Sequence, residues 1–151
     1  MADRGLLRAL LPIAVMLAVG ACGSDILGPE EVDFVDELQI DIAAMTRTES
    51  GLYIQDLTVG DGDIVTSGTV VTMDYAGWLP NGANFDSGVD ATFAIGIDSL
   101  ILGFTEGVIG MRVGGTRTMV LPSSLGYGDQ PPAGIPRNSV LVFRVTLKSI
   151  P

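Results

Sequence analysis

The chain has 151 residues, enough for one domain with a real core, and carries 18 acidic against 8 basic side chains, a formal net charge of −10. It contains no histidine, which removes Ser-His-Asp and Cys-His catalysis, histidine zinc sites and histidine pH switching. An acidic chain repels phosphate backbones, so nucleic acid is not an expected partner.

The first residues form a separate object. Arg4 and Arg8 make a positive start, Ala9–Ala21 is uncharged, and Cys22, the only cysteine, follows. The uncharged run has the length of a signal h-region; broken by Pro12, it is too short to span a bilayer comfortably. Val19-Gly20-Ala21-Cys22 resembles the lipobox of bacterial lipoproteins, where signal peptidase cuts before the cysteine and the thiol carries diacylglycerol. That resemblance implies a signal peptide over 1–21, lipidation at Cys22 and a place in the bacterial cell envelope. Several acyl chains, at about 0.8 kcal/mol per buried methylene, anchor a protein stably. Gly23 and Ser24, with no aspartate, point by resemblance to the periplasmic face of the outer membrane. An ordinary secretory signal or an uncleaved anchor, with Cys22 incidental, is the competing reading.

Residues 22–50 read as a tether and an acidic segment. Gly23–Pro29 is short and carries Gly and Pro. In Glu30–Ile42, Phe34, Leu38 and Ile42 recur at helical spacing, while Leu38, Ile40 and Ile42 alternate as in a strand. A packing segment with a solvated acidic face and a dimer contact are both open readings.

From Gly51 to Pro151 the pattern is mainly strand-like. Leu52–Val59 is a strand, closed by a turn at Gly60-Asp61-Gly62-Asp63. Thr69–Leu79 alternates, with Val71, Met73 and Tyr75 on one face; Phe93 belongs with this core alternation. Pro80-Asn81-Gly82 makes the reversal of a hairpin, and Trp78 reads as a partly packed hairpin residue. Asp98–Gly110 reads as a helix with Asp98 or Ser99 as cap, an apolar stripe of Leu100, Ile101, Phe104 and Val108, and weak points at Gly103 and Gly107. Gly115–Leu121 is a strand, Pro122–Asn138 a long loop, and Ser139–Ile150 a half-buried antiparallel strand. Several strands and one short helix predict the α+β class.

Six short motifs occur in order: V-V-T-M-D-Y-A-G (Val70–Gly77), N-G-A-N-F-D-S (Asn81–Ser87), I-L-G-F-T-E-G-V (Ile101–Val108), M-R-V-G-G-T-R (Met111–Arg117), S-L-G-Y-G (Ser124–Gly128) and V-L-V-F-R-V-T-L (Val140–Leu147). At this spacing they resemble the FKBP-type peptidyl-prolyl cis–trans isomerases. The resemblance implies a curved antiparallel β-sheet wrapped around the short helix, and an aromatic-lined slot that accelerates X-Pro rotation in unfolded or folding proteins. Such a slot requires no nucleophile, metal or cofactor.

By resemblance, Tyr75, Phe85 and Phe143 match aromatic walls, Leu100 and Ile101 the aliphatic pair before the helix, and Phe104 the pocket floor, where many members carry tryptophan. The Ile101 N–H would bond a substrate carbonyl, Tyr127 matches a tyrosine whose hydroxyl reaches another, Asp86 lies near the twisted amide, and Ile135 is an apolar loop tip. Taken singly, Phe104 and Phe143 would read as core and Asp86 as a turn residue. The stretch from Ser87 to Thr92 is short: it lacks the family's arginine partner for the aspartate, and Ala91 stands at the position of a wall aromatic. These departures bear on macrolide binding more than on isomerase activity. A non-catalytic proline-peptide-binding or chaperone module of the same fold is the alternative, and a structural lipoprotein is a third.

Overall fold

The structure, a computed structural model, describes residues 26–151; the expected signal peptide and Cys22 lie outside the described residues. Six strands form one antiparallel sheet: β1 Thr46–Arg47, β2 Tyr53–Thr58, β3 Val70–Trp78, β4 Asn84–Ala94, β5 Thr116–Leu121 and β6 Leu141–Ser149, in the order β1-β2-β5-β6-β3-β4. One helix, α1 (Leu102–Val108), crosses its concave face.

Alternation decides the two faces. Met119 and Leu121 from β5, with Leu141, Phe143, Val145 and Leu147 from β6, point to the helix side; Val71 and Met73 join them from β3. The glycines that weaken α1 let it reach this surface. A Cβ on Gly103 would lie 2.6 Å from the Leu121 side chain, and one on Gly107 would lie 2.0 Å from the Met119 sulfur. Buried Arg117 ties the far end of the helix down: its Nη1 donates to the Gly107 carbonyl at 2.9 Å, and Nε and Nη2 donate to the Asp56 carboxylate at 2.7 and 3.0 Å.

The other face is also covered. Val120, Val140, Val142 and Tyr53 pack with Leu38 and Met45, and Val32, Phe34, Val35, Ile40 and Ile42 close over them. The acidic segment therefore packs, but as neither a helix nor a strand. It runs as three short 3₁₀ turns, Pro29–Glu31, Asp36–Leu38 and Ile42–Ala44. One helical stripe would seat a single row of side chains; this irregular path seats apolar residues of both spacings. Gln39, at φ 55°, turns the chain between the second and third. The Val35 N–H donates to the Pro80 carbonyl at 3.0 Å, and Arg144 donates to the Leu38 carbonyl at 3.2 Å. Half-buried Trp78 lies under the same guanidinium, 5.9 Å from ring centre to Cζ.

Two expectations need correction. The helix begins at Leu102 rather than Asp98, with Ile101 as its N-cap. The Asp98 carboxylate instead accepts from the Ala94 N–H at 2.7 Å, closing the turn that leaves β4, and Ser99 sits in a tight turn closed by the Leu100 N–H donating to the Asp98 carbonyl at 2.8 Å. Asn84–Ala94, which lacks a strand pattern in the sequence, is the return strand of the hairpin. Its Asn, Asp, Ser and Gly content has low strand propensity, and two register shifts break its alternation.

Candidate active site

A slot of about 250 Å³ opens where β3, β4 and the approach to α1 meet. Tyr75, Asp86, Phe93, Ser99, Leu100, Ile101, Phe104, Tyr127 and Phe143 line it. Phe104 is its floor. It is 4% exposed and makes edge contacts with Phe143 at 5.2 Å, Tyr75 at 5.9 Å and Phe93 at 6.2 Å between ring centres. Each such aromatic contact contributes about 0.5–1.5 kcal/mol beyond its burial, so the rings hold one another in place.

Backbone features set the walls. Leu100 and Ile101 lie just before the helix, with Ile101 extended at φ −63°, ψ 146°. The Ile101 N–H therefore sits at the helix entrance, where no carbonyl lies one turn back to accept it. Tyr127 is held by a tight loop: the Gly128 N–H donates to the Ser123 carbonyl at 2.9 Å and the Asn138 N–H to the Gly128 carbonyl at 2.7 Å.

The polar groups of the lining are the Asp86 carboxylate, the Tyr75 and Tyr127 hydroxyls and Ser99. The Tyr75 hydroxyl donates to Asp86 Oδ2 at 3.2 Å. Burial first, and the Asp86 charge next, hold both the Tyr75 and Tyr127 hydroxyls above the ordinary tyrosine value. Tyr53, on the opposite face, is raised as well, chiefly by its hydrogen bond to Glu30. All three tyrosines of the chain are thus shifted the same way. A raised folded value means that the native state holds its phenolic protons more tightly than the unfolded chain. The associated stability is complete below the ordinary value of about 10 and is lost as pH rises through the raised values. We expect phenolate absorbance of the native protein to rise at higher pH than that of the urea-unfolded chain. Superimposed titration curves would contradict these environments.

The structure brings together Tyr75, Asp86, Leu100, Ile101, Phe104, Tyr127 and Phe143. Phe85 and Ile135 stand elsewhere. Phe85 packs edge-on against Phe143 at 5.4 Å, in space left by Gly77, where a Cβ would lie 2.7 Å from its ring. Ile135 is folded into the core, 9% exposed. Phe93 and Ser99 enter the lining without having been assigned there. Phe93 does lie on the core face, paired with Val71. It belongs to the sheet's edge strand, however, so its ring is partly open.

Comparison with known proteins gives consistent matches. A family model described as FKBP-type peptidyl-prolyl cis-trans isomerase matches residues 62–148. An FK506-binding protein of Neisseria meningitidis is 40% identical over 105 residues, which cover 66% of this chain and 96% of that protein. A peptidyl-prolyl cis-trans isomerase of Saccharomyces cerevisiae is 44% identical over 105 residues, 68% of this chain but 26% of the yeast protein. Among solved structures, FkpA from Escherichia coli superposes with a TM-score of 0.67 at 30% identity, covering 76% of this chain and 55% of that one.

Proposed function

The chain belongs to the FKBP-type peptidyl-prolyl cis–trans isomerase family, and we propose that it accelerates X-Pro rotation in proteins folding in the bacterial cell envelope, held there by lipid on Cys22. The observation that carries the catalytic part is the slot itself: five aromatic rings and two aliphatic side chains, with the polar groups Asp86, Tyr75, Tyr127 and Ser99 at its margin.

Such a surface suits one reaction. Amide resonance sets a rotation barrier of about 18–20 kcal/mol and puts negative charge on the carbonyl oxygen, which water stabilises. The twisted transition state has lost that resonance and is less polar. An apolar slot that excludes water therefore favours the twisted amide over the planar one. Each tenfold in rate needs about 1.4 kcal/mol of this preference. The Ile101 N–H and the Tyr127 hydroxyl would hold flanking carbonyls, and Asp86 would face the rotating bond. Macrolide ligands, suggested by the relatives' names, would enter the same slot.

The chain from Gly23 onward should speed cis–trans exchange in a peptide with an apolar residue before proline, measured by NMR exchange spectroscopy at micromolar protein. Asp86→Ala and Tyr127→Phe should each lower turnover severalfold to about tenfold, the range of one or two net hydrogen bonds, with little change in the urea midpoint. Exchange no faster than the uncatalysed rate would replace the enzyme with the non-catalytic prolyl-peptide module.

The anchoring part is tested separately. Mass spectrometry of membrane-extracted protein should find residues 1–21 removed and Cys22 acylated, and Cys22→Ala should release or mislocalise the protein. An intact leader or a free thiol would rule the anchor out.

A further inference from the structure

Asp86 faces the slot because β4 breaks its own alternation. Cross-strand partners share a face, and β3 places Val71 opposite Phe93 and Met73 opposite Ala91. From Phe93 and Ala91, strict alternation would next send Val89, Ser87 and Phe85 to the slot side, and Asp86 to the outside. The observed register differs: Tyr75 pairs with Gly88 and Gly77 with Asp86. Val89 and Asp90 together oppose the single residue Asp74, a bulge that inserts one residue and turns Gly88 and Asp86 to the slot side; a second shift, between Gly77 and Trp78, then lets Phe85 pack against Phe143.

This bulge is strained and is held from outside the slot. Asp90 sits at φ 51°, in the left-handed region that costs a non-glycine residue free energy. Its N–H donates to Asp74 Oδ1 at 2.8 Å. From β6, the Lys148 ammonium reaches Asp74 Oδ1 at 2.8 Å and Asp90 Oδ1 at 2.7 Å, bridging the bulged strand and the one it bulges against. On the slot side the Tyr75 ring lies close over Gly88, where a Cβ would be 2.6 Å from its Cε1, and its hydroxyl meets Asp86. The clamp on one face and the Tyr75–Asp86 pair on the other are thus joined through the backbone of 88–90.

We propose that Lys148, with Asp74 and Asp90, is a positioning residue for the slot: it locks the β4 bulge and thereby fixes the Tyr75 hydroxyl and the Asp86 carboxylate at the slot margin. This assignment rests on reading the slot as a prolyl site. Among the described residues no arginine lines the slot beside Asp86; its orientation comes from Tyr75 and from a cation on the far side of the sheet.

Lys148→Met and Lys148→Arg, compared with the unaltered chain, test this. Lys148→Met should lower kcat about three- to tenfold, the range of two exposed ion pairs acting on one equilibrium, with KM little changed. The Asp86 ¹³Cγ and Tyr75 ¹³Cζ resonances should shift with it, and the urea midpoint should barely move. Lys148→Arg, which keeps the two carboxylate contacts, should restore both kcat and the resonances. Unchanged resonances and kcat in Lys148→Met would overturn the proposal. So would a loss that follows the urea midpoint and is not rescued by arginine, since that is a merely structural effect. If the unaltered chain shows no isomerisation, the prolyl-site reading fails, and the two resonances alone decide whether the clamp positions the pair.

Discussion

Phe104→Ala should destabilise the protein by about 3–5 kcal/mol, the usual cost of emptying a buried aromatic site, and should abolish most turnover as well. The ring is 4% exposed and touches Tyr75, Phe93 and Phe143. Collapse cannot refill the space, because α1 already presses its backbone onto Leu121 and Met119 at Gly103 and Gly107. A helix of seven residues has little stability of its own, so its docking depends on this side chain. Phe104→Leu, which keeps most of the volume, should lose less of both. Urea midpoints and NMR exchange on the three proteins would decide. A Phe104→Ala variant with native stability would mean that the floor is not part of the core.

The second large effect concerns the far face. A chain that starts at Thr46 should be strongly destabilised and prone to associate, although every slot residue is retained. Val120, Val140 and Val142, each 3% exposed or less, would lose the cover given by 29–45. Full burial of a valine contributes about 1.5–3 kcal/mol, so uncovering three takes away much of a typical domain's stability. The Pro80 carbonyl would lose the Val35 N–H, and the Arg144 guanidinium would lose one of its acceptors, the Leu38 carbonyl. Denaturant midpoints and sedimentation would measure this. A shortened chain that stays monomeric with an unchanged midpoint would show that the cover lies outside the cooperative unit.

The strands with clean alternation were legible from the sequence. Val71, Met73 and Tyr75 on β3, and Leu141, Phe143, Val145 and Leu147 on β6, announce both a period of two and the face that is buried. The helix was legible in kind but not in extent. Leu100 and Ile101 continue its apolar stripe in sequence while still lying ahead of the helix, and Asp98 has another partner. What escaped was non-local. β4 carries few strand-forming residues and depends on β3 for its pairing. The 3₁₀ cover mixes both periodicities because it answers to the shape of a sheet whose strands come as much as 106 positions later. In the slot, the ordered motifs located Tyr75, Asp86, Ile101, Phe104, Tyr127 and Phe143, yet nothing in them says that Phe93 is open to the slot or that Phe85 stands behind Phe143. Those depend on where a sheet edge ends and on what a glycine at 77 leaves room for.

Pro29–Glu31 is tied to the folded body: Tyr53 donates to Glu30, and Arg47 lies 3.7 Å from it. In a protein anchored through Cys22, only residues 23–28 would separate lipid from fold. At full stretch such a leash reaches roughly 20–25 Å, less than the width of the domain it holds. The body could not roam; it would hover one molecular radius from the bilayer. Ile26–Gly28 border the same open surface hollow as Ser123, Ser124 and Gly128, in the loop that carries Tyr127. The mouth of the slot would therefore keep a restricted bearing on the membrane surface, while the body's net negative charge pushes it off anionic headgroups. Clients would be met at the lipid boundary, as they emerge from it or pass along it, rather than out in the bulk compartment.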